Sequence, residues 1–429
     1  MSDPNIAFVR NEMLPPSRPP VREGGLLKTL RANLFGNWLS GFLTVLSVAA
    51  LALLVQAVTP WLSASIWNAG SLGECRALLE GAEGACWAVI RDRWTQLLFG
   101  FYPREEYWRP VLAFVLLFVA LAPVLFPKVP RRVLWFSFIY PGLVFWLVWG
   151  GSLWFPISVY AGFACGALVA RFSAPLGATL AGGTAALGAV LWWLWSASPV
   201  AQAVEKMLPW AIPAVSSREL GGFLLSVTIG VTGIALSLPL GIVLALGRRS
   251  TMPLIRSVSV IFIEFIRGVP LITLLFTASL LLNYFLPPGT NFDLILRVVI
   301  MVTLFASAYM AEVIRGGLAA LPKGQYEAAD SLGLDYWQAQ RLIVMPQALK
   351  ISIPGIVNSF IGLFKDTTLV VFIGLLDPIA LSNAIRADTD WQGIYWEPFI
   401  FVGLIFFAAC FSMSRYSMYL ERKLKRDHR

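Results

Sequence analysis

The residues best placed to do chemistry in this chain are the few charges inside or at the edge of apolar stretches: Glu264, Arg267, Glu312, Lys365 and Asp366. A charge at the centre of a bilayer costs about 2.5–3.5 kcal/mol on insertion scales, so such residues face a cavity or a partner. Lys365 and Asp366 stand together near the middle of an apolar run. Thr367 and Thr368 follow, and their hydroxyls can repair a broken backbone ladder. At a locally unwound helix the pair offers a donor for a carboxylate and an acceptor for an ammonium. The competing reading is a structural lock, in which the two charges neutralise each other or neighbouring helices. Glu264 and Arg267 lie one helical turn apart and can pair on one face. Gly268 and Pro270 then break the helix and free backbone groups that can line a pathway. Glu312 and Arg315 repeat the spacing at the end of a run, where bracing the next polar segment is the expected role.

These charges must be positioned by membrane helices. Of 429 residues, 58% are hydrophobic and 13% charged, about half the charge of a typical soluble domain. Mean hydropathy is +0.72. Apolar runs approaching the roughly 20 residues of a bilayer span fall at about 38–60, 108–127, 132–151, 155–171, 176–196, 219–247, 255–286, 292–315, 353–376 and 396–418. The expected fold is an all-α polytopic membrane protein with about ten transmembrane helices. Gly-Ser, Phe-Pro and Ala-Pro breaks in the third to fifth runs mark hinges or short turns.

An even number of spans puts both termini on one side. Lys and Arg concentrate before residue 37, around 128–132 and 248–256, in 316–350 and after 415, and are sparse elsewhere. The positive-inside rule therefore places both termini and the 316–350 segment in the cytosol. The same rule accounts for the net charge of +9 without nucleic acid. The polar, Pro-rich residues 1–37 read as a cytosolic tail before a retained first helix, not as a cleaved signal peptide. The chain divides near residue 218 into an N-terminal transmembrane extension, 38–218, with a long external loop 61–107, and a core, 219–429. A Pro-rich stretch before the division, MLPWAIPAVSSREL, is suited to lie along the outer interface.

Cys165 and Cys410 lie in apolar runs and read as packing residues. Cys75 and Cys86 share the external loop and are expected to form a disulfide, with two free thiols as the alternative. No CxxC or Cys/His cluster occurs and the single His is His428, so no metal is expected. No catalytic residues stand out.

Between Glu327 and Pro346 lies a polar island, EAADSLGLDYWQAQRLIVMP. Pro322 opens a helical stretch that Gly333 closes by supplying a left-handed cap. Asp335 with Gln338 forms a capping-box pattern for a second helix, which Pro346 ends or kinks. Ala328 and Ala329 allow close approach of another surface, Tyr326 and Leu332 can fill a pocket, and Glu327 offers a charge for orientation. An ordinary amphipathic interfacial helix is the bland alternative.

The pattern of Glu327-Ala328-Ala329, Gly333, Ile343 and Pro346 resembles the cytoplasmic loop of permease subunits in ATP-binding-cassette importers. Phe262 to Phe276 (FIEFIRGVPLITLLF), Ala308 to Ala329 (AYMAEVIRGGLAALPKGQYEAA) and Leu363 to Asp377 (LFKDTTLVVFIGLLD) strengthen the likeness. Together they resemble the permeases for polar amino acids, typified by histidine and glutamine importers. The enlarged N-terminal half resembles the long permease of the bacterial general L-amino-acid importer. The resemblance implies a five-helix type I importer core, with 316–350 as the loop that couples to an ATPase. It also implies a second permease subunit, expected to be a different chain, two cytosolic ATPase subunits and a periplasmic amino-acid-binding protein, in a bacterial inner membrane. No GxxxxGK[ST] loop is present, so ATP and Mg are expected on the partner ATPases and no cofactor in this chain. For such a permease, Lys365, Asp366 and Thr367 would hold the zwitterion of an amino acid. An ion-coupled secondary transporter, with Glu312 or Asp366 carrying protons, and a membrane scaffold or assembly protein that uses the loop only for docking are the alternatives; the loop spacing favours the importer, and a secondary transporter has no reason to keep it.

Overall fold

A computed structural model describes residues 26–126, 128–281, 284 and 292–426; the prolines of the N-terminal tail and His428 lie outside them. The elements are helices: α1 (Leu26–Leu34), α2 (Trp38–Ser63), α3 (Leu72–Leu78), α4 (Ala88–Phe99), α5 (Trp108–Leu125), α6 (Leu134–Trp149), α7 (Trp154–Ser173), α8 (Ala178–Leu191) and α9 (Ala197–Met207). The core follows with α10 (Gly222–Arg248), α11 (Pro253–Gly268), α12 (Leu271–Phe276), α13 (Leu294–Ala319), α14 (Gly324–Ser331), α15 (Tyr336–Ala339), α16 (Met345–Asp366), α17 (Pro378–Ala387) and α18 (Trp396–Arg426). Among the described residues, nine helices are long and apolar enough to cross a membrane, or ten if α11 and the helix after it form one span bent by 102°. The bend falls at Val269–Pro270, where proline supplies no N–H to continue the ladder.

Two compact units divide the chain. The smaller comprises residues 1–68 and 74–87. Its α2 begins at Asn37, whose side chain accepts from the Ser40 N–H at 2.7 Å, and carries no buried residue. Cys75 and Cys86 are joined by a disulfide with Cα atoms 6.1 Å apart. Beside it, Trp87 stacks on Trp67 and meets Trp61 edge-on.

The larger unit comprises 69–73 and 88–429. Its tightest seam is α10 against α13, made possible by small residues. A Cβ at Gly233 would lie 2.9 Å from Val302 Cγ1, and one at Gly241 would lie 2.7 Å from Met310 Cβ. Glycine there lets the backbones approach, as membrane helices require where lipid gives no hydrophobic drive. Leu225, Ile229, Val298, Val302, Leu363 and Val370 form the apolar centre, and Tyr102, Leu147 and Val148 enter it from before residue 218. The Tyr102 hydroxyl donates to the Val148 carbonyl at 2.9 Å. The Pro-rich stretch is pinned across helix ends: strand β1 (Gly151–Ser152) pairs antiparallel with β2 (Ala211–Ile212), and buried Arg109 donates to the Pro213 carbonyl at 2.7 Å while ion-pairing Glu106.

Two boundaries differ from the sequence expectation. The fifth span runs on to Met207 through a π-helical turn, Trp192–Ser196. Pro346 does not end its helix. A π turn at Gln340–Val344 joins α15 to α16, and Pro346 falls in the first turn of α16.

Candidate substrate pathway and coupling segment

Local chemistry builds the 316–350 segment as two short helices at an angle. Gly333 adopts φ +69°, a conformation glycine reaches without steric cost, and the Leu334 N–H closes back on the Ala329 carbonyl at 3.2 Å. Asp335 accepts from the Gln338 N–H at 2.8 Å, and the Gln338 side chain accepts from the Asp335 N–H at 3.1 Å. That is a complete capping box. Gln347 donates to Gln325 at 2.8 Å and ties α16 to α14.

The segment's inner and outer faces differ from the sequence reading. Ala329 is fully buried while Ala328 and Glu327 are exposed, so one alanine of the pair, not both, is open to a second surface. Tyr326 packs inward against the cluster of Ile314, Val344 and Ala348, its hydroxyl accepting from Arg249 at 3.0 Å. It is therefore unavailable to fill a partner's pocket. The outward face is Leu332 (72% exposed) with Tyr336, Trp337 (69% exposed) and Leu342. Sequence reasoning passed over Tyr336 and Trp337, whose signal was two large aromatics directly after an N-cap. Gly333 is exposed, Ile343 is half-buried, and exposed Pro346 ends this surface.

The membrane charges form a network, with a change of partners. Glu264 and Arg267 do not pair with each other. Glu264 meets Arg248 at 2.7 Å, and Arg267 points to Glu312 at 3.7 Å and over the Tyr309 ring. Glu312 pairs with Arg315 at 2.9 Å as spaced. It also reaches Arg248 at 2.9 Å, off the hydrogen-bonding angle, so that contact is electrostatic. Two carboxylates thus hold three arginines across the ends of α10, α11 and α13. Arg248 is the member sequence reasoning missed, because it read as a topology charge.

Lys365 and Asp366 sit at the end of α16, where the α-helix tightens into a 3-10 turn, Thr367–Ile373. The unwinding is this change of pitch, not an open break. Buried Thr367 donates to the Phe364 carbonyl at 2.8 Å, and Thr368 donates to the Lys365 carbonyl at 2.9 Å. Among the described residues neither Lys365 nor Asp366 has an ion-pair partner. Lys365 is exposed and Asp366 half-buried. Charges left unpaired on the chain's surface are free to meet a substrate or another subunit. Among the described residues no cluster of three His, Cys, Asp or Glu could hold a metal.

Comparison with known proteins adds whole-chain context. Residues 237–426 match the family described as binding-protein-dependent transport system inner membrane component. The glutamate/glutamine/aspartate/asparagine transport system permease protein BztC of Rhodobacter capsulatus is 63% identical, covering 100% of both chains. The inner membrane amino-acid ABC transporter permease protein YhdY of Escherichia coli is 40% identical over 92% of each. A crystal structure of an amino acid ABC transporter with histidines matches at 31% identity and a TM-score of 0.42, covering 47% of this chain and 91% of that one.

Proposed function

We propose a detailed role from one premise: this chain belongs to the polar amino-acid permease family of ATP-binding-cassette importers, and is a multi-pass transmembrane subunit that moves amino acids. The observation that carries the premise is 63% identity along the whole length of a relative, including the extension before residue 218. Like its family, it works within a complex with other subunits. In the finer reading those are a second permease of different sequence, two cytosolic ATPase subunits that hold ATP and Mg, and a periplasmic amino-acid-binding protein. Both termini and the 316–350 segment face the cytosol. Residues 38–218 act as an added membrane unit with its loop 61–107 in the periplasm. The substrates are glutamate, glutamine, aspartate and asparagine, the set in the relative's name.

In this reading the exposed face of Glu327, Ala328, Leu332, Tyr336 and Trp337 enters a cleft on the ATPase. Motion there reaches the membrane through Gln325–Gln347, Tyr326–Arg249 and the Arg248–Glu312 network. Lys365 and Asp366 hold the carboxylate and ammonium common to all four substrates, with Thr367 fixing the backbone between them. Glu312, already shared by three arginines, is a structural post and not a proton carrier. The test is affinity purification of the tagged chain from its native membrane. An ATPase subunit in the eluate and binding-protein-dependent uptake of the four amino acids after reconstitution support the role. Elution without an ATPase, or uptake that ignores the binding protein, contradicts it.

A further inference from the structure

The end of the core opposite the coupling segment holds a cavity. It lies at the start of α13, a helix of 26 residues and so about 39 Å long, whose other end leads into 316–350. The cavity has a volume of about 670 Å³, and its lining includes Arg218, Asp293, Arg297, Gly374 and Leu376. Its size suits a small polar ligand with water.

The charge inventory is specific. Arg297 is only 8% exposed, yet among the described residues no carboxylate lies within ion-pair distance of it. Its guanidinium is held by two backbone carbonyls: Nε donates to Phe292 at 3.0 Å and Nη1 to Ser279 at 2.9 Å. Carbonyl dipoles orient the cation without neutralising it. With Nε committed, Nη2 and the second Nη1 hydrogen remain, and a desolvated guanidinium held this way is a receptor for a planar anion, of which a carboxylate fits that remaining edge. Arg218, exposed at the rim, likewise has no acidic partner among the described residues. Asp293 uses Oδ1 to cap α13, accepting from Ile295 at 2.9 Å and Leu296 at 3.2 Å, which leaves Oδ2 for a cation.

Two guanidiniums and one carboxylate complement a ligand with two carboxylates and one ammonium. We propose that this cavity is the outer receiving site of the permease and that it recognises an acidic amino acid. Arg297 takes the α-carboxylate, Asp293 the ammonium and Arg218 the side-chain carboxylate. An amide side chain satisfies the first two contacts and leaves Arg218 in water, so Arg218 sets the acid-over-amide preference. The site rests on the reading of the chain as an amino-acid permease and extends it to two stations. Gly374, in the lining, is eight residues beyond Asp366 along a largely 3-10 segment, about 16 Å. A substrate released into the cavity thus meets Arg297 first and Lys365–Asp366 next.

The test uses the complete transporter, purified without its binding protein, and radiolabelled glutamate and glutamine. Wild type should bind both. Arg218→Gln, at an exposed residue with little fold to lose, should weaken glutamate about tenfold and leave glutamine within about twofold. Arg297→Lys keeps the charge but loses the fork and the Nε and Nη1 bonds to Phe292 and Ser279, so it should lower the melting temperature and weaken both ligands at least tenfold, whereas Arg218→Gln changes only the glutamate-to-glutamine ratio. A glutamate-to-glutamine ratio unmoved by Arg218→Gln, with wild type binding both, overturns the site alone. A wild-type transporter that neither binds nor imports any amino acid overturns the reading beneath it.

Discussion

Glu312→Gln removes one charge and keeps the shape, and its cost can be worked from the geometry. Glu312 is 16% exposed at the side chain and lies 2.9 Å from both Arg248 and Arg315 and 3.7 Å from Arg267. In the variant those three guanidiniums, with Arg249 close by in sequence, face Glu264 alone. Removing one partner from a buried pair costs about 3–5 kcal/mol. The arginines here are 24–44% exposed, and water recovers part of that, which leaves about 2 kcal/mol. In a helical core of this size the melting temperature should fall by about 4–8 °C. The assay is a thermal scan of the detergent-purified chain at low salt, with Arg248→Gln and the double variant beside it. Because the two groups share one network, the double variant should lose less than the sum of the singles by at least about 1 kcal/mol. A Glu312→Gln melting point within 1 °C of wild type, or strict additivity with Arg248→Gln, would refute the network as a structural post.

Other consequences follow from single positions. Gly333→Val meets no atom within 4 Å of the new Cβ, so its whole cost is the φ of +69°, about 1–2 kcal/mol of local strain. The protein should insert and fold while ATP-driven uptake falls at least tenfold; normal uptake removes Gly333 from coupling. Asp377 caps α17, accepting from Ile379 and Ala380, and burial pushes its carboxyl up to about 6. The folded state therefore holds a proton that the unfolded state has released. Asp377's own contribution to stability is fully present below about pH 4 and is lost as pH rises toward about 6, by an amount on the order of 3 kcal/mol. Asp377→Asn keeps the cap and should flatten that slope in thermal scans between pH 5 and 7.5; an Asn variant with the wild-type slope contradicts the assignment. Lys365→Met/Asp366→Asn separates substrate contact from a lock: a folded double variant without uptake supports contact, and one with normal uptake excludes it.

Much of the scaffold could be read from residue order because bilayer spans are set by length and polarity. The capping box at Asp335–Gln338 and the break at Gly268–Pro270 were legible for a similar reason, since both are local. The misassigned contacts are those made through space. Glu264 has Arg267 one turn away, yet its partner is Arg248 on another helix, while Arg267 reaches Glu312 and the Tyr309 ring. Tyr326 looked like an outward anchor until packing put it under Arg249. The π turn at Gln340–Val344 carries no residue signature, and without it Pro346 reads as a helix end. Arg297 lay inside an apparent span, and only the fold brings it into the lining of a cavity with Arg218 and Asp293.

The central claim is that this chain moves amino acids on energy supplied by a partner's ATP hydrolysis. The most direct measurement is glutamate and glutamine uptake into proteoliposomes holding the purified complex, with binding protein outside and either ATP inside or a proton or sodium gradient imposed. Uptake is expected with internal ATP and no gradient, and none with a gradient and no ATP. Uptake driven by the gradient alone would contradict it.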